Sequence, residues 1–191
     1  KCLQSLIAQD HPADDHIILI LDGGSTDNSK SEIEQASDYS QQINGPKIEL
    51  IDNPGRHVSS ARNLALSLLP PSVTHLVELI GHCIVPVDHI STRMESWQKF
   101  DLQTKENNSA PLGALGVKVL PREGDLGMFE SWVEGALSSP LGSGGGQFDN
   151  FSSPGKTRIP AFATHLRSAV QEVGGWDDDF ISCQDSDLSM R

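Results

Sequence analysis

Residues 17–27 read IILILDGGSTD, and the five from Ile17 through Leu21 form an unbroken apolar run rich in β-branched residues. That is the pattern of a strand buried on both faces of a parallel sheet. The run ends at Asp22, Gly23 and Gly24 permit a tight turn, and Ser25 or Thr26 can cap a polar helix predicted from Asp27 to about Ser37. Working outward, residues 1–12 (KCLQSLIAQDHP) read as an amphipathic helix with Cys2, Leu3, Leu6 and Ile7 on one face. Residues 47–52 (KIELID) are a second strand. Residues 59–69 are a helix with Ala61, Leu64, Ala65 and Leu68 at helical spacing, stopped by Pro70 and Pro71. A third strand is predicted over residues 75–80, with a helix past Pro86 to about Phe100. Strands alternating with helices imply an α/β fold with a mostly parallel sheet and right-handed crossovers. In such sheets ligands collect beyond the C-terminal ends of the strands, where Asp22, residues 54–56, Gly81 and His82 fall.

The second half changes character. Residues 112–120 are strand-like and interrupted by glycine, 126–137 helical, and 138–153 a Gly/Ser-rich loop. Residues 158–164 read as a strand, 166–173 as a short helix, and a last helix begins at Asp185. The length of 191 residues and an apolar content of 37% suit a single domain around one continuous core. No apolar run approaches the roughly 20 residues needed to span a bilayer, so membrane association is expected only through segments outside this chain. With 14 Lys+Arg against 26 Asp+Glu, the net charge of -12 argues against nucleic acid or anionic lipid as a partner. Most of that acidity reads as solvated surface. Cys2, Cys83 and Cys183 are too few and too widely spaced for a disulfide framework or a zinc knuckle, which points to a reducing compartment.

Three further words follow the first in a fixed order: NPGRHVSSARN at 53–63, LIGHCIVP at 79–86 and QDSDLSMR at 184–191. Together the four resemble the donor-binding and catalytic motifs of family 2 glycosyltransferases, which are inverting nucleotide-sugar enzymes of the GT-A fold. The segment SSPLGSGGGQF at 138–148 resembles one found in the succinoglycan-type exopolysaccharide transferases of that family. The resemblance implies a GT-A domain over residues 1–191, with a nucleotide-binding half at 1–100 and an acceptor and catalytic half at 101–191. It also implies truncation at both ends, with a first strand missing before residue 1. The expected reaction is inverting transfer of a hexose from a nucleotide diphosphate sugar, UDP-linked by preference, to a saccharide or lipid-linked saccharide. The expected place is the cytoplasm or the cytoplasmic face of a membrane, in cell-envelope polysaccharide synthesis. The alternative is a non-catalytic nucleotide-sugar-binding or scaffold module.

By this resemblance Asp22 meets the uracil or ribose, and Gly23, Gly55, Arg56 and Arg62 complete the nucleotide site. Read from the residues alone, Asp22 can equally cap the next helix and Arg62 can pair with a neighbouring acid. The resemblance makes Asp185 the general base that takes a proton from the acceptor hydroxyl, as a single inverting displacement requires. Asp185 and Asp187 also suit the first turn of a helix, where its dipole favours acids. Trp176, in GGWD at 174–177, is placed at the acceptor or in the core; Asp187, Gly144 and Gly145 are further acceptor candidates. The glycine loop at 140–148 reads as a ligand loop or as a flexible linker. Family relatives hold a divalent metal, Mn or Mg, with an Asp-x-Asp or Asp-x-His. Here Ile80 stands in place of the leading Asp while His82 remains, which weakens that site. His82 can ligate a metal, bond a phosphate or simply end the strand. Glu78, two residues before Ile80 and about 6.6 Å further back along a regular strand, is poorly placed to substitute.

Overall fold

The computed structural model describes residues 1–119, 127–137, 139, 153–157, 159–160 and 162–191. The chain opens with helix α1 (Cys2–Ile7), a 3-10 turn (Ala13–Asp15) and strand β1 (Ile17–Asp22). Helix α2 (Ser29–Gln42), strand β2 (Lys47–Asp52), helix α3 (Val58–Leu68), strand β3 (His75–Val77) and helix α4 (His89–Glu106) follow. The second half has strand β4 (Ala114–Leu115), helix α5 (Met128–Leu137), strand β5 (Thr164–Leu166), helix α6 (Arg167–Glu172) and helix α7 (Gln184–Met190).

The α/β class stands, and the sheet divides. β1 and β2 run parallel in register from Ile17 opposite Lys47 to Asp22 opposite Asp52. Both strands therefore release their following loops at the same edge. β3, β5 and β4 form a separate antiparallel sheet with β5 in the middle. β3 ends sooner than the apolar run at 75–80 suggests. Beyond Glu78, whose amide donates to the Ala163 carbonyl at 3.0 Å, the backbone folds into a turn closed by the Cys83 amide on Ile80.

Helix ends also moved for local reasons. Asp27 caps a turn by accepting from the Ser29 amide at 3.0 Å, so α2 starts two residues late. It then runs beyond Ser37, because no breaker comes before Gly45. α4 passes Phe100 for the same reason and stops only at Asn107 and Asn108, the latter at φ 48°. The strand expected at 158–164 begins only at Thr164, and residues 158 and 161 lie outside the described residues. Leu120 and Leu126, the ends of two further predicted elements, also lie outside them.

Among the described residues, apolar burial falls into two clusters. Leu6, Ile7, Ile18, Ile48 and Val85 join α1 to the parallel strands. Val170, Trp176 and Leu188 join α6, α7 and the turn between them. Each large side chain buried this way contributes about 1.5–3 kcal/mol. Two arginines tie the halves together through backbone oxygens. Arg167 donates to the carbonyls of Leu69 at 3.0 Å and of Pro70, where α3 ends and a positive charge suits the helix dipole. Arg93 of α4 donates to the Phe162 carbonyl at 2.9 Å and the Thr164 hydroxyl at 3.0 Å, and burial lowers its pKa to about 10. No helix among the described residues is long and apolar enough to cross a membrane.

Candidate active site

The parallel register sets Asp22 and Asp52 side by side at the C-terminal edge of β1 and β2. Asp22 is buried, and its carboxylate accepts from the Ser25 hydroxyl at 2.5 Å and the Ser25 amide at 3.1 Å. The Ser25 bonds, followed by Lys30, hold its pKa below the ordinary carboxylate value. Lys30 lies 3.3 Å from Asp22 and 2.7 Å from Asp52, and both acids raise its pKa. Asp22 thus closes the turn at 22–25 instead of capping α2, whose start is Asn28 and Ser29.

The loop at 53–57 lies against this turn. Asn53 donates its amide N–H to the Asp22 carbonyl at 2.7 Å, and its side chain bonds His57 and Ser60. Arg56 takes a left-handed φ of 60°, with its carbonyl oxygen packed against Gly23. Gly55 is obligatory, since a Cβ there would collide with the Ser60 hydroxyl. Asp22, Gly23, Gly55 and Arg56 therefore meet at one edge of the molecule, as the sequence words suggest.

Arg62 stands elsewhere. From the first half of α3 it donates to Glu78 Oε2 at 2.7 Å and pairs with Asp185 Oδ1 at 2.7 Å. Its guanidinium lies 5.5 Å from the centre of the Trp176 ring. Behind Glu78, His165 Nε2 approaches Oε1 at 3.2 Å, and the His165 ring meets Trp176 edge-on at 5.7 Å. Glu78 and His165 are nearly buried, whereas the Asp185 side chain keeps 34% of its surface exposed. The result is an accessible carboxylate held by a cation whose other nitrogen is already committed. Cys183, at a left-handed φ of 63°, turns the chain into α7 two residues before this acid.

The turn at 174–178 is clamped to α3. Asn63 accepts from the Trp176 amide at 2.9 Å and donates to the Trp176 carbonyl at 2.7 Å and to Asp178 at 3.1 Å. Gly174 and Gly175 both adopt positive φ, and a Cβ on Gly175 would stand 2.6 Å from Asn63 Oδ1. Two words far apart in sequence, ARN and GGWD, thus form one joint.

Several acceptor and metal expectations do not fit this arrangement. Trp176 is 3% exposed, so it packs as core beneath Arg62 and cannot stack on a sugar. Asp187 points to Arg191 at 2.8 Å. Gly144 and Gly145 lie outside the described residues. His82 is exposed, Ile80 is 38% exposed, and no group of three metal-binding side chains occurs among the described residues. These residues alone do not make a divalent site, and Glu78 is engaged by Arg62 and His165. A cavity of about 320 Å³ beside His165, Val170 and Leu188 is lined without a single carboxylate or cation, unlike a nucleotide pocket. Sequence reasoning missed Glu78 as a partner, and it missed His165 and Asn63; only Asn63 stood within a recognised word.

Residues 1–69 match the family model for glycosyl transferase family 2. The chain is 25% identical over 174 residues to the succinoglycan biosynthesis protein ExoA of Rhizobium meliloti (strain 1021), covering 91% of this chain and 48% of that protein. Among solved structures it resembles S. aureus TarS 1-349 in complex with UDP, at TM-score 0.62 and 15% identity over 99% of this chain and 49% of that one. It also resembles the mannosyltransferase PcManGT from Pyrobaculum calidifontis in complex with GDP-Man and Mn2+, at TM-score 0.63 and 18% identity over 97% of this chain and 45% of that one. The chain spans about half the length of these relatives. The motif order, the α/β architecture and these matches agree: the chain is similar to family 2 glycosyltransferases, through the family model over residues 1–69, and has the GT-A fold.

Proposed function

We propose that this domain transfers a hexose with inversion from a UDP-linked sugar to a saccharide or lipid-linked saccharide, with Asp185 as general base. The observation that carries the reading is the Arg62–Asp185 pair, 2.7 Å apart, with the carboxylate still open to solvent. In a single inverting displacement the acceptor oxygen attacks the anomeric carbon opposite the departing nucleotide diphosphate. One carboxylate must take the hydroxyl proton as that bond forms. Asp185 has the chemistry and exposure for that step, and Arg62 holds it in one orientation.

On this reading the donor lies along the β1–β2 edge. The Asp22 carboxylate and the backbone of Gly23, Gly55 and Arg56 face the uridine, and the Arg56 fork, without a hydrogen-bond partner among the described residues, is a candidate for the diphosphate. The likeness to ExoA supports a role in exopolysaccharide synthesis, and the UDP and GDP-Man complexes of the structural relatives support a nucleotide-sugar donor. Cytoplasmic action on a membrane-bound acceptor is part of the same proposal. One observation favours a second reading, a nucleotide-sugar-binding module without turnover. Ile80 supplies no ligand beside His82, so any metal would need donors from the nucleotide or from residues outside those described.

Calorimetric titration of the whole protein with UDP, with and without manganese, tests the donor assignment. Binding should weaken about ten- to a hundredfold in Asp22→Ala, the scale of one lost charged hydrogen bond. Unchanged affinity in that variant would move the nucleotide away from this edge.

A further inference from the structure

Glu78 lies four residues before the exposed His82, and its side chain enters the Arg62 cluster. Its backbone is fixed by the bond to Ala163, and its side chain is only 10% exposed. One carboxylate oxygen accepts from Arg62 at 2.7 Å, and the other faces His165 at 3.2 Å. The opposite nitrogen of the same guanidinium is 2.7 Å from Asp185. A single cation is thus shared between one enclosed carboxylate and one that reaches solvent.

The sharing has a chemical consequence. A guanidinium paired with one carboxylate alone lowers that acid's pKa by about one to three units, which makes it a poor proton acceptor. A second carboxylate on the same guanidinium offsets that effect and also locks the fork in place. We propose that Glu78 is a positioning residue for Asp185, fixing the Arg62 guanidinium against it while offsetting the positive charge that would weaken it as a base. This rests on the reading of Asp185 as the general base. His165 from β5 and Arg93 from α4 also face Glu78, and Asp185 shares α7 with Asp187, which is itself paired with Arg191. None of these replaces the Glu78 charge at the far nitrogen of Arg62. A purely structural Glu78 would need only its shape and its hydrogen bond from Arg62, both of which glutamine reproduces.

The test compares the whole protein with Glu78→Gln, Glu78→Asp and Asp185→Asn. It combines kcat and KM for the donor across pH with a carbon-13 NMR titration of the Asp185 carboxyl, assigned by its absence in Asp185→Asn. In Glu78→Gln the Asp185 midpoint should fall by about one pH unit or more as Arg62 commits wholly to it. The acid limb of the kcat profile should move the same way, kcat should drop by about tenfold or more, and the donor KM should change by no more than about twofold. Glu78→Asp, which keeps the charge but shortens the reach, should give a smaller shift in the same direction, and it carries the test alone if the glutamine variant does not fold. The NMR midpoint is readable whether or not transfer is detected. A midpoint unmoved in the folded variants overturns the inference. If Asp185→Asn abolishes turnover while Glu78→Gln matches the parent in midpoint and kcat, the inference fails and the role of Asp185 stands. If Asp185→Asn keeps full turnover, both fail together.

Discussion

At the β1–β2 edge, Asp22 is held by Ser25 and Lys30, close to it in the chain, while Arg62 is held by Glu78, Trp176 and Asp185 from three other parts of the fold. The first site needs only two adjacent parallel strands and the segments that directly follow them. The second exists only when α3, β3, β5, α7 and the 174–178 turn have all docked. Local assembly gives the buried Asp22 an exposed lysine as its cation; long-range assembly gives the nearly buried Glu78 a cation that is itself largely enclosed over an indole. The difference predicts that substitutions in the second site cost stability as well as function, whereas those in the first act mainly on ligand binding.

The sharpest way to break that contrast is Arg62→Met. It leaves Glu78 enclosed without its nearest cation and should cost about 3 kcal/mol or more, read as the change in unfolding free energy in urea. A loss below about 1 kcal/mol would mean that the cluster is solvated like a surface pair. Next in size is Gly175→Ala at the joint between α3 and the GGWD turn. The positive φ and the approach to Asn63 together should cost about 2–3 kcal/mol in the same assay.

The motif words were the legible part. IILILDGGSTD and NPGRHVSSARN gave the βα units and the Asp22 edge because apolar period, glycine turns and caps act over a few residues. The strand boundaries after residue 75 were not legible, since β3 and β5 owe their short spans to each other and not to their own sequence. Glu78 and His165 carried no motif at all. A lone acid in a strand and a lone histidine reveal a partnership only after the chain has brought them together, 87 positions apart by number (165 − 78). Trp176 was readable as core or as a sugar platform, and burial against Val170 and Leu188 decided for the core.

A smaller effect concerns the anchor between the halves. Burial and the adjacent Arg93 hold the His89 pKa down at about 4, against 6.5 for the free side chain. The unfolded chain therefore takes up the proton first, so this contribution to stability is complete above about pH 6.5 and is lost as the pH falls toward about 4. His89→Gln should flatten the decline of Tm between about pH 7 and about pH 5, where an unaltered slope would show that His89 is not the titrating group.

The central claim is that the carboxylate held by Arg62 does chemistry, and Asp185→Asn tests it most directly. The amide keeps the size and most of the hydrogen bonding but removes the basicity. Measured side by side in the whole protein, UDP affinity should be retained while sugar transfer to acceptor falls by about a hundredfold or more. Transfer at the parent rate in that variant would contradict the account.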